Sequence, residues 1–503
     1  MKQVPKRARW SLVLALLIAF PIAVASAAGP GGWDHLGDRG QLNGAVYALE
    51  DSGVLGTPAI LIGGSFTSVG RDSNAVSPIG IWAPPTPTLP GGFMWGGFAP
   101  LNGGVHAIVS DPATKRVFVG GNFTNAGGNA NADFLAVSSA GGDWAPFCGP
   151  FGGSVAALQI IGSTLYVGGS FQNGAGIHNA NYLIACDLST GVARPVGKPG
   201  DIGGGVYALT ADANGTLYAG GQFINAAGIP AADHVASYDG SWHAMGTGPS
   251  TGGGAVDDYV RSMASSGNDV YIGTDSVNVA GIPQADHVAK WNGSAWSALG
   301  ANAAGTDGWL PATAFINAIA TKGSQVVVTG SFQNAGGNPL ADDIAMFDGT
   351  AWKPLGSNGA GNGPWIGNGL ALAILGNDVY AGGSFTSAGG DPLASYIARY
   401  SLVAPSNLFT IGVVKGNLST GTAKLTVSAP GQGTLTLSGA GVRRVKVTTP
   451  SSAAKVTLTV QATGKSKLTL VRVGHLSVKV TITFAPTGGI AKSRSTTVLL
   501  KRG

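Results

Sequence analysis

The chain has 503 residues, of which 83 are Gly, 44% are hydrophobic and 11% are charged. That apolar content is enough to build cores and excludes a disordered chain, while two cysteines exclude a disulfide-dense scaffold. The net charge of +5 hides a division: residues 28–403 carry 11 Lys/Arg and all 24 acids, whereas residues 404–503 carry 14 Lys/Arg and no Asp or Glu.

Residues 1–27 read as a secretory signal. Lys2, Lys6, Arg7 and Arg9 precede an apolar run from Trp10 to Val24, and Ala25-Ser26-Ala27 offers small residues for cleavage. The run is short for a spanning helix, and no Cys follows it for lipid attachment. The expected product is a bacterial protein that is secreted or associated with the cell envelope, not membrane-spanning. In such a protein Cys148 and Cys186 either form one disulfide or stay as buried thiols.

From Trp33 onward one pattern recurs: an apolar run, two Gly, a small polar residue, Phe, then a turn rich in Asn, Ala and Gly. The first copy, LIGGSFTSVG, ends at Gly70. The marker aromatics are Phe66, Phe123, Phe171, Phe223, Phe332 and Phe385, with Ser276 in that place in the degenerate copy YIGTDSVNVAG, and spacings run from 48 to 57 residues. Each copy contains four strand-like pieces, such as Val206–Leu209, the Gly-Gly-x-Phe run, Val235–Tyr238 and a W-x-x-L-G run. Asp239-Gly240, Asn292-Gly293 and Asp348-Gly349 join the third piece to the fourth, and such dipeptides favour the tight primed hairpin turn. A four-stranded antiparallel unit of this size is a β-propeller blade.

The fourth piece occurs at Trp33, Trp95, Trp144, Trp242, Trp296 and Trp352, and without Trp at Ala193–Gly197. The first of these precedes every other piece, and the last copy stops at Ile397–Tyr400. An N-terminal strand that completes the last blade would leave no orphan edge. The expectation is an all-β chain: a seven-bladed β-propeller over residues 28–403, its N-terminal strand closing the last blade, then an antiparallel β-sandwich over residues 404–503.

The motifs V-Y-A-L, Y-V-G-G-S-F, I-A-x-Y/W-D/N-G and W-x-x-L-G resemble the repeats of fungal cortical cell-polarity marker proteins. More distantly they resemble kelch and galactose-oxidase-type propellers. The resemblance covers roughly residues 33–403 and implies the fold, not an activity. In the last hundred residues, alternation in Lys424–Val427, Thr434–Leu437, Val445–Val447, Val456–Val460, Val478–Phe484 and Val498–Leu500 indicates strands. Gly421–Val427, Pro430–Gly433 and Pro486–Gly489 resemble immunoglobulin-like accessory domains of secreted actinobacterial proteins, a likeness that implies no chemistry.

Asp133, Asp233, Asp286 and Asp342 hold equivalent positions before the third strand, with Asn181, Ser77 and Ser395 in other copies. A position restricted to Asp, Asn or Ser reads as a turn cap. His234 and His287 are likewise one repeat position. No zinc motif, nucleophile elbow or phosphate loop is present, and the two-His, Tyr and Tyr-linked Cys set of a copper radical oxidase is not recognisable. No cofactor and no metal are therefore expected. Asp257-Asp258 and Asp342-Asp343 are weak candidates for a hard cation, since strand neighbours point opposite ways.

The longest loops before a first strand carry Asp257, Asp258, Asp307, Trp309 and Trp365, and Trp beside Gly and Asp suits stacking on a sugar ring. The alternative is that both Trp pack on their own loops. The basic tail suits an anionic envelope polymer; few aromatics there argue against nucleic acid. The reading is a non-enzymatic secreted binding or scaffold protein of the cell surface, whose propeller face takes a glycan or a protein. The alternative is a secreted carbohydrate-active enzyme with its site on the same face.

Overall fold

The computed structural model describes residues 33–503 except 37–41, 54–57, 69–77, 85–91, 95–97, 140–141, 249–252, 303, 311–312, 359–361, 366–368, 404–405, 432, 450–453 and 487–490. The expected signal at 1–27 lies outside the described residues, as do Gly70, Ser77 and Trp95.

The chain is all-β, with short 3-10 turns and one α-helix among its described elements. Between Trp33 and Ser401 the strands form seven four-stranded antiparallel sheets. In six of them the four strands follow one another in sequence. The seventh takes Gly369–Leu375, Asp378–Gly383 and Ile397–Ser401, and then Trp33–Asp34 as its fourth strand, with Trp33 opposite Tyr400 and Asp34 opposite Arg399.

Neighbouring sheets meet through the Gly-Gly pair of the second strand. Because the first Gly has no side chain, the first residue of the next sheet's first strand can seat against it. A Cβ on Gly63 would fall 2.6 Å from Val105, on Gly120 2.3 Å from Val155, on Gly168 2.8 Å from Val206, and on Gly220 2.5 Å from Val260. Gly273 meets Ile316 in the same way. Gly382 of the seventh sheet meets Val46 of the first, so the series returns to its start. One junction is inverted: Thr329 stands where the Gly belongs, and Gly369 stands where the Val belongs, so that a Cβ on Gly369 would collide with Thr329. The bulk has changed sides and the fit is kept.

A second tie comes from the Trp at the fourth strand, whose indole N–H donates to a carbonyl that follows the fourth strand of the preceding sheet. Trp144 donates to Ala99 (2.8 Å), Trp242 to Val196 (3.3 Å), Trp296 to Met245, Trp352 to Leu299 and Trp33 to Leu355 (2.6 Å). The marker Phe residues are all buried. The Asp/Asn before the third strand caps a backbone N–H eight residues earlier at 2.6–2.8 Å, from Asp133 to Asn125 through Asp342 to Asn334. That is the turn role its residue type implies.

Residues 410–501 form a three-stranded sheet (Thr410–Asn417, Thr422–Ala429, Ala454–Gln461) and a four-stranded one (Gly433–Ser438, Val445–Thr449, His475–Pro486, Lys492–Lys501). Alternate residues, including Leu425, Val427, Leu435, Leu437, Ile482 and Phe484, share one buried core. Nothing in the sequence marks Gly464–Val473 as helical, yet it forms helix α1. Gly474 ends it at φ 75°, donating its N–H to the Leu470 carbonyl.

Candidate functional site

The first strand of every one of the seven sheets carries a β-bulge at the same place. The residue at the Val position of the motif (Val46 in the first sheet, Ile316 in the sixth) pairs normally, the next is skipped, and pairing resumes at the one after. The skipped residues are Tyr47, His106, Ala156, Tyr207, Arg261, Asn317 and Leu370. All seven line a cavity of about 670 Å³ between the first strands. A bulge frees a residue from the sheet's alternation and re-aims its side chain. Here it does so at one level of all seven strands, producing a ring of side chains at the mouth.

The ring is not uniform. Ala156 and Leu370 offer nothing polar, whereas the sector from Tyr207 to Asn317 is dense in polar contacts. Tyr207 donates its hydroxyl to Gln222 Oε1 (2.7 Å), and Gln222 Nε2 donates to the Tyr259 hydroxyl (2.8 Å). Arg261 forms a two-pronged pair with Asp275, both contacts 2.6 Å, and lies 5.3 Å from the centre of the Phe315 ring. Asn317 donates to the Gly369 carbonyl. On the other side Tyr47 and His106 stack with centroids 5.0 Å apart, and the Asn122 carbonyl oxygen accepts the Gly104 N–H at 2.6 Å.

Asn122, Gln222 and Asp275 share one repeat position, the polar residue between Gly-Gly (Gly-Thr in the fifth copy) and the Phe or Ser that follows. Ser65, Ser170, Ser331 and Ser384 fill it elsewhere. The larger side chains therefore accompany His106, Tyr207 and Arg261.

Electrostatically the mouth carries no uncompensated positive charge, since both Asp275 and Asp258 act on Arg261. Burial pushes His106 below its usual value and favours the uncharged imidazole. Burial raises the Tyr207 phenol, with Tyr259 adding and Arg261 opposing. The Asp275 hydrogen bond holds the Arg261 guanidinium firmly charged, and the two charges cancel locally. Deeper in, Leu49, Ile108, Leu158, Leu209, Met263, Ile319 and Leu372 form an apolar belt, beyond which lies Glu50. Burial pushes the Glu50 carboxyl up to about 7, despite the Ser110 hydroxyl donating to it at 3.3 Å. Glu50 is the only carboxylate among the described residues lining the cavity.

The residues singled out from sequence fall elsewhere. Trp309 is 6% exposed, 3.8 Å from Trp352 and edge-on to Phe332. Trp365 is 2% exposed, stacked 4.7 Å from Phe385 and edge-on to Trp33. Neither offers a free ring face to a sugar in this structure; each packs on the aromatics of its own sheet. Trp365 lies four residues before the first strand's opening residue, where Leu42, Leu101, Phe151, Ile202 and Val256 are also buried. It is an enlarged core residue of the repeat.

Asp257 and Asp258 are exposed, and their backbone N–H groups donate to Ser276 Oγ at 3.1 and 2.8 Å. The hydroxyl that replaces the marker Phe in the fifth copy thus pins this loop. Asp307 accepts the N–H of Gly308. Cys148 and Cys186 are joined by a disulfide, with Cα atoms 5.7 Å apart; Cys186 is in a strand and Cys148 sits just past one, at φ 68°. Among the described residues, one cluster could hold a metal ion: Asp34, His35 and Asp391. Its members are already engaged, His35 with Asp391 inside the cluster at 2.6 Å and Asp34 with Arg399 outside it at 2.9 Å.

What the sequence reading missed is the mouth. Its signal lay in the second letter of the V-x-A-L motif, which reads Tyr, His, Ala, Tyr, Arg, Asn and Leu while its neighbours stay apolar.

No protein-family model and no curated protein matches the chain. Among solved structures it is similar to the extracellular domain described as belonging to a hybrid two-component system of B. thetaiotaomicron (9% identity, TM-score 0.45, covering 91% of this chain and 56% of that one). It is also similar to a fungal alcohol oxidase of the AA5 family in complex with copper (11% identity, TM-score 0.32, covering 95% and 100%). A third is an auxiliary nutrient binding protein of Bacteroides thetaiotaomicron (9% identity, TM-score 0.34, covering 71% and 97%). The chain spans a little over half the length of the first. No helix among the described residues is long and apolar enough to cross a membrane.

Proposed function

We propose that residues 28–403 are a seven-bladed β-propeller and residues 404–503 a separate basic sandwich domain, in an exported, non-enzymatic binding protein of the cell surface. Its ligand site is the cavity mouth, and the ligand is a neutral polyhydroxylated molecule, a glycan in chemical terms. The observation that carries this reading is the ring of seven bulges, which turns one residue per sheet out of the fold and toward a common opening. Tyrosine rings offer flat apolar faces for sugar C–H groups, while the amides of Gln222, Asn122 and Asn317 can donate and accept together. With Arg261 neutralised by Asp275 and the exposed Asp258 also acting on it, nothing at the mouth favours an anionic ligand.

The carbohydrate-active enzyme reading has less support. Glycoside hydrolysis ordinarily uses two facing carboxylates, and Glu50 has no carboxylate opposite it among the described lining residues. A Tyr–Cys-linked copper oxidase is disfavoured on its own chemistry, because both cysteines are committed to the disulfide. The basic domain contributes contact with an anionic component of the cell envelope.

The test is retention on immobilised neutral oligosaccharides. The wild-type chain is expected to bind, with Tyr207→Ala and Arg261→Ala each losing about tenfold or more in affinity. Equal retention by wild type and both variants removes the mouth as the site.

A further inference from the structure

We infer that one end of the C-terminal sandwich, centred on helix α1, docks onto a lipid leaflet rich in anionic headgroups. This names the partner in the envelope contact proposed above and rests on that reading; the ligand of the cavity mouth does not enter it.

Helix α1 is attached to the sheets through a single buried residue, Leu470. On its other side Leu468 is 71% and Val471 54% exposed. At 3.6 residues per turn these two form one outward ridge, with Lys467 on one flank and Lys465 and Arg472 on the other, all three exposed. Two neighbouring segments extend the same end. The tail folds back, with Arg502 donating its N–H to the Gly474 carbonyl at 2.8 Å and Gly503 donating to that of Leu418 at 3.1 Å. Leu418 itself is 59% exposed. At the start of the helix Thr463 donates to the Gly441 carbonyl, which brings the exposed Arg443 and Arg444 alongside.

The surface therefore mixes uncovered aliphatic side chains with cations, in a segment that has no Asp or Glu from residue 404 to 503. A water-soluble polyanion would reward the cations but gain nothing from Leu418, Leu468 and Val471. A leaflet rewards both: aliphatic side chains enter the headgroup–acyl boundary while flanking Lys and Arg lay their stems along it and reach the phosphates. Exposed leucines at the centre and charges at the flanks are the order that such a boundary requires.

The experiment is flotation of residues 28–503 with vesicles of mixed phosphatidylcholine and phosphatidylglycerol, with vesicles of phosphatidylcholine alone, and retention on washed cell envelopes. Binding to the mixed vesicles and retention on the envelopes are expected, without binding to phosphatidylcholine alone. Leu468→Ser/Val471→Ser and, separately, Lys465→Gln/Lys467→Gln/Arg472→Gln should each reduce it about tenfold. All five positions are solvent-exposed, so the fold should be unaffected, as circular dichroism would verify. Undiminished vesicle binding by the Leu468/Val471 variant overturns the inference in favour of charge alone. Envelope retention without any vesicle binding also overturns it, while leaving the broader envelope reading intact. Failure to bind either support overturns both.

Discussion

Arg399 Nη2 donates to Asp34 Oδ2 at 2.9 Å, a buried contact between residues 365 positions apart. It joins the last strand of the repeat region to the first, directly across the register that seats Trp33–Asp34 in the seventh sheet. The closing strand is only two residues long, so its hold depends on such side-chain ties. Asp378 lies 3.7 Å from the same guanidinium and would keep part of its charge paired, so removing Asp34 costs less than the about 3–5 kcal/mol of a fully orphaned buried charge, about 2–3 kcal/mol. Asp34→Ala is therefore expected to lower the free energy of urea unfolding by that amount. A loss under about 1 kcal/mol, the worth of an exposed pair, would show that the strand is held by other means.

The inverted junction at Thr329 and Gly369 gives a sharper test. Gly369→Val restores the residue type used in most other copies but drives it into Thr329, for an expected cost of about 1–3 kcal/mol by overpacking. Adding Thr329→Gly re-creates the ordinary junction and should recover most of that loss. A double-mutant cycle reads the coupling. Additive behaviour of the two substitutions would mean that the sheets do not meet there as described.

Glu50 should imprint a pH dependence on stability. Its carboxyl titrates near 7 in the fold against an ordinary value of 4.5. Between those values the folded chain keeps a proton that the unfolded chain has released. Stability from this group is thus greatest below about pH 4.5, falls as pH rises through 7, and then levels off. Because the side chain borders cavity water, the drop is put at about 1–3 kcal/mol. Glu50→Gln should be stabilised relative to wild type at pH 8 and lose that advantage at pH 4. Parallel stability curves for the two proteins would refute the assignment.

Trp365 should behave as core. Trp365→Ala is expected to cost about 3–5 kcal/mol in denaturant unfolding. Any folded fraction should retain oligosaccharide binding at the mouth. A stable variant that has lost binding would return this residue to the ligand site.

Most of the architecture could be read from the chain because a repeat makes its own comparison. Seven copies reveal which positions vary least, and these are the buried Phe, the Gly pair and the Asp, Asn or Ser turn caps. The same logic drew attention to Trp309 and Trp365. They stood outside the evident motif, but Trp365 shares a core position with Leu42 and Phe151, hidden because the residues filling it vary in size. The mouth residues escaped notice because strict alternation places Tyr207 and Arg261 within a sheet, and only a bulge turns them out. A bulge depends on backbone pairing between strands, which no single strand's sequence declares. Helix α1 escaped for a related reason: Leu468 and Leu470 around Thr469, then Val471 and Val473 around Arg472, alternate well enough to suit a strand, and tertiary connection decides the matter.

The recurring bulge also separates two kinds of inheritance. A skipped residue has no partner across the strand, so its identity is largely released from the demands of packing, while Val206 before it and Ala208 after it stay bound to them. Tyrosine, arginine, alanine and leucine already occupy equivalent places around a single opening. Such a mouth works like a socket with interchangeable pins. A library randomised at Tyr47, His106, Ala156, Tyr207, Arg261, Asn317 and Leu370 should yield new ligand preferences from a frame that continues to fold as before.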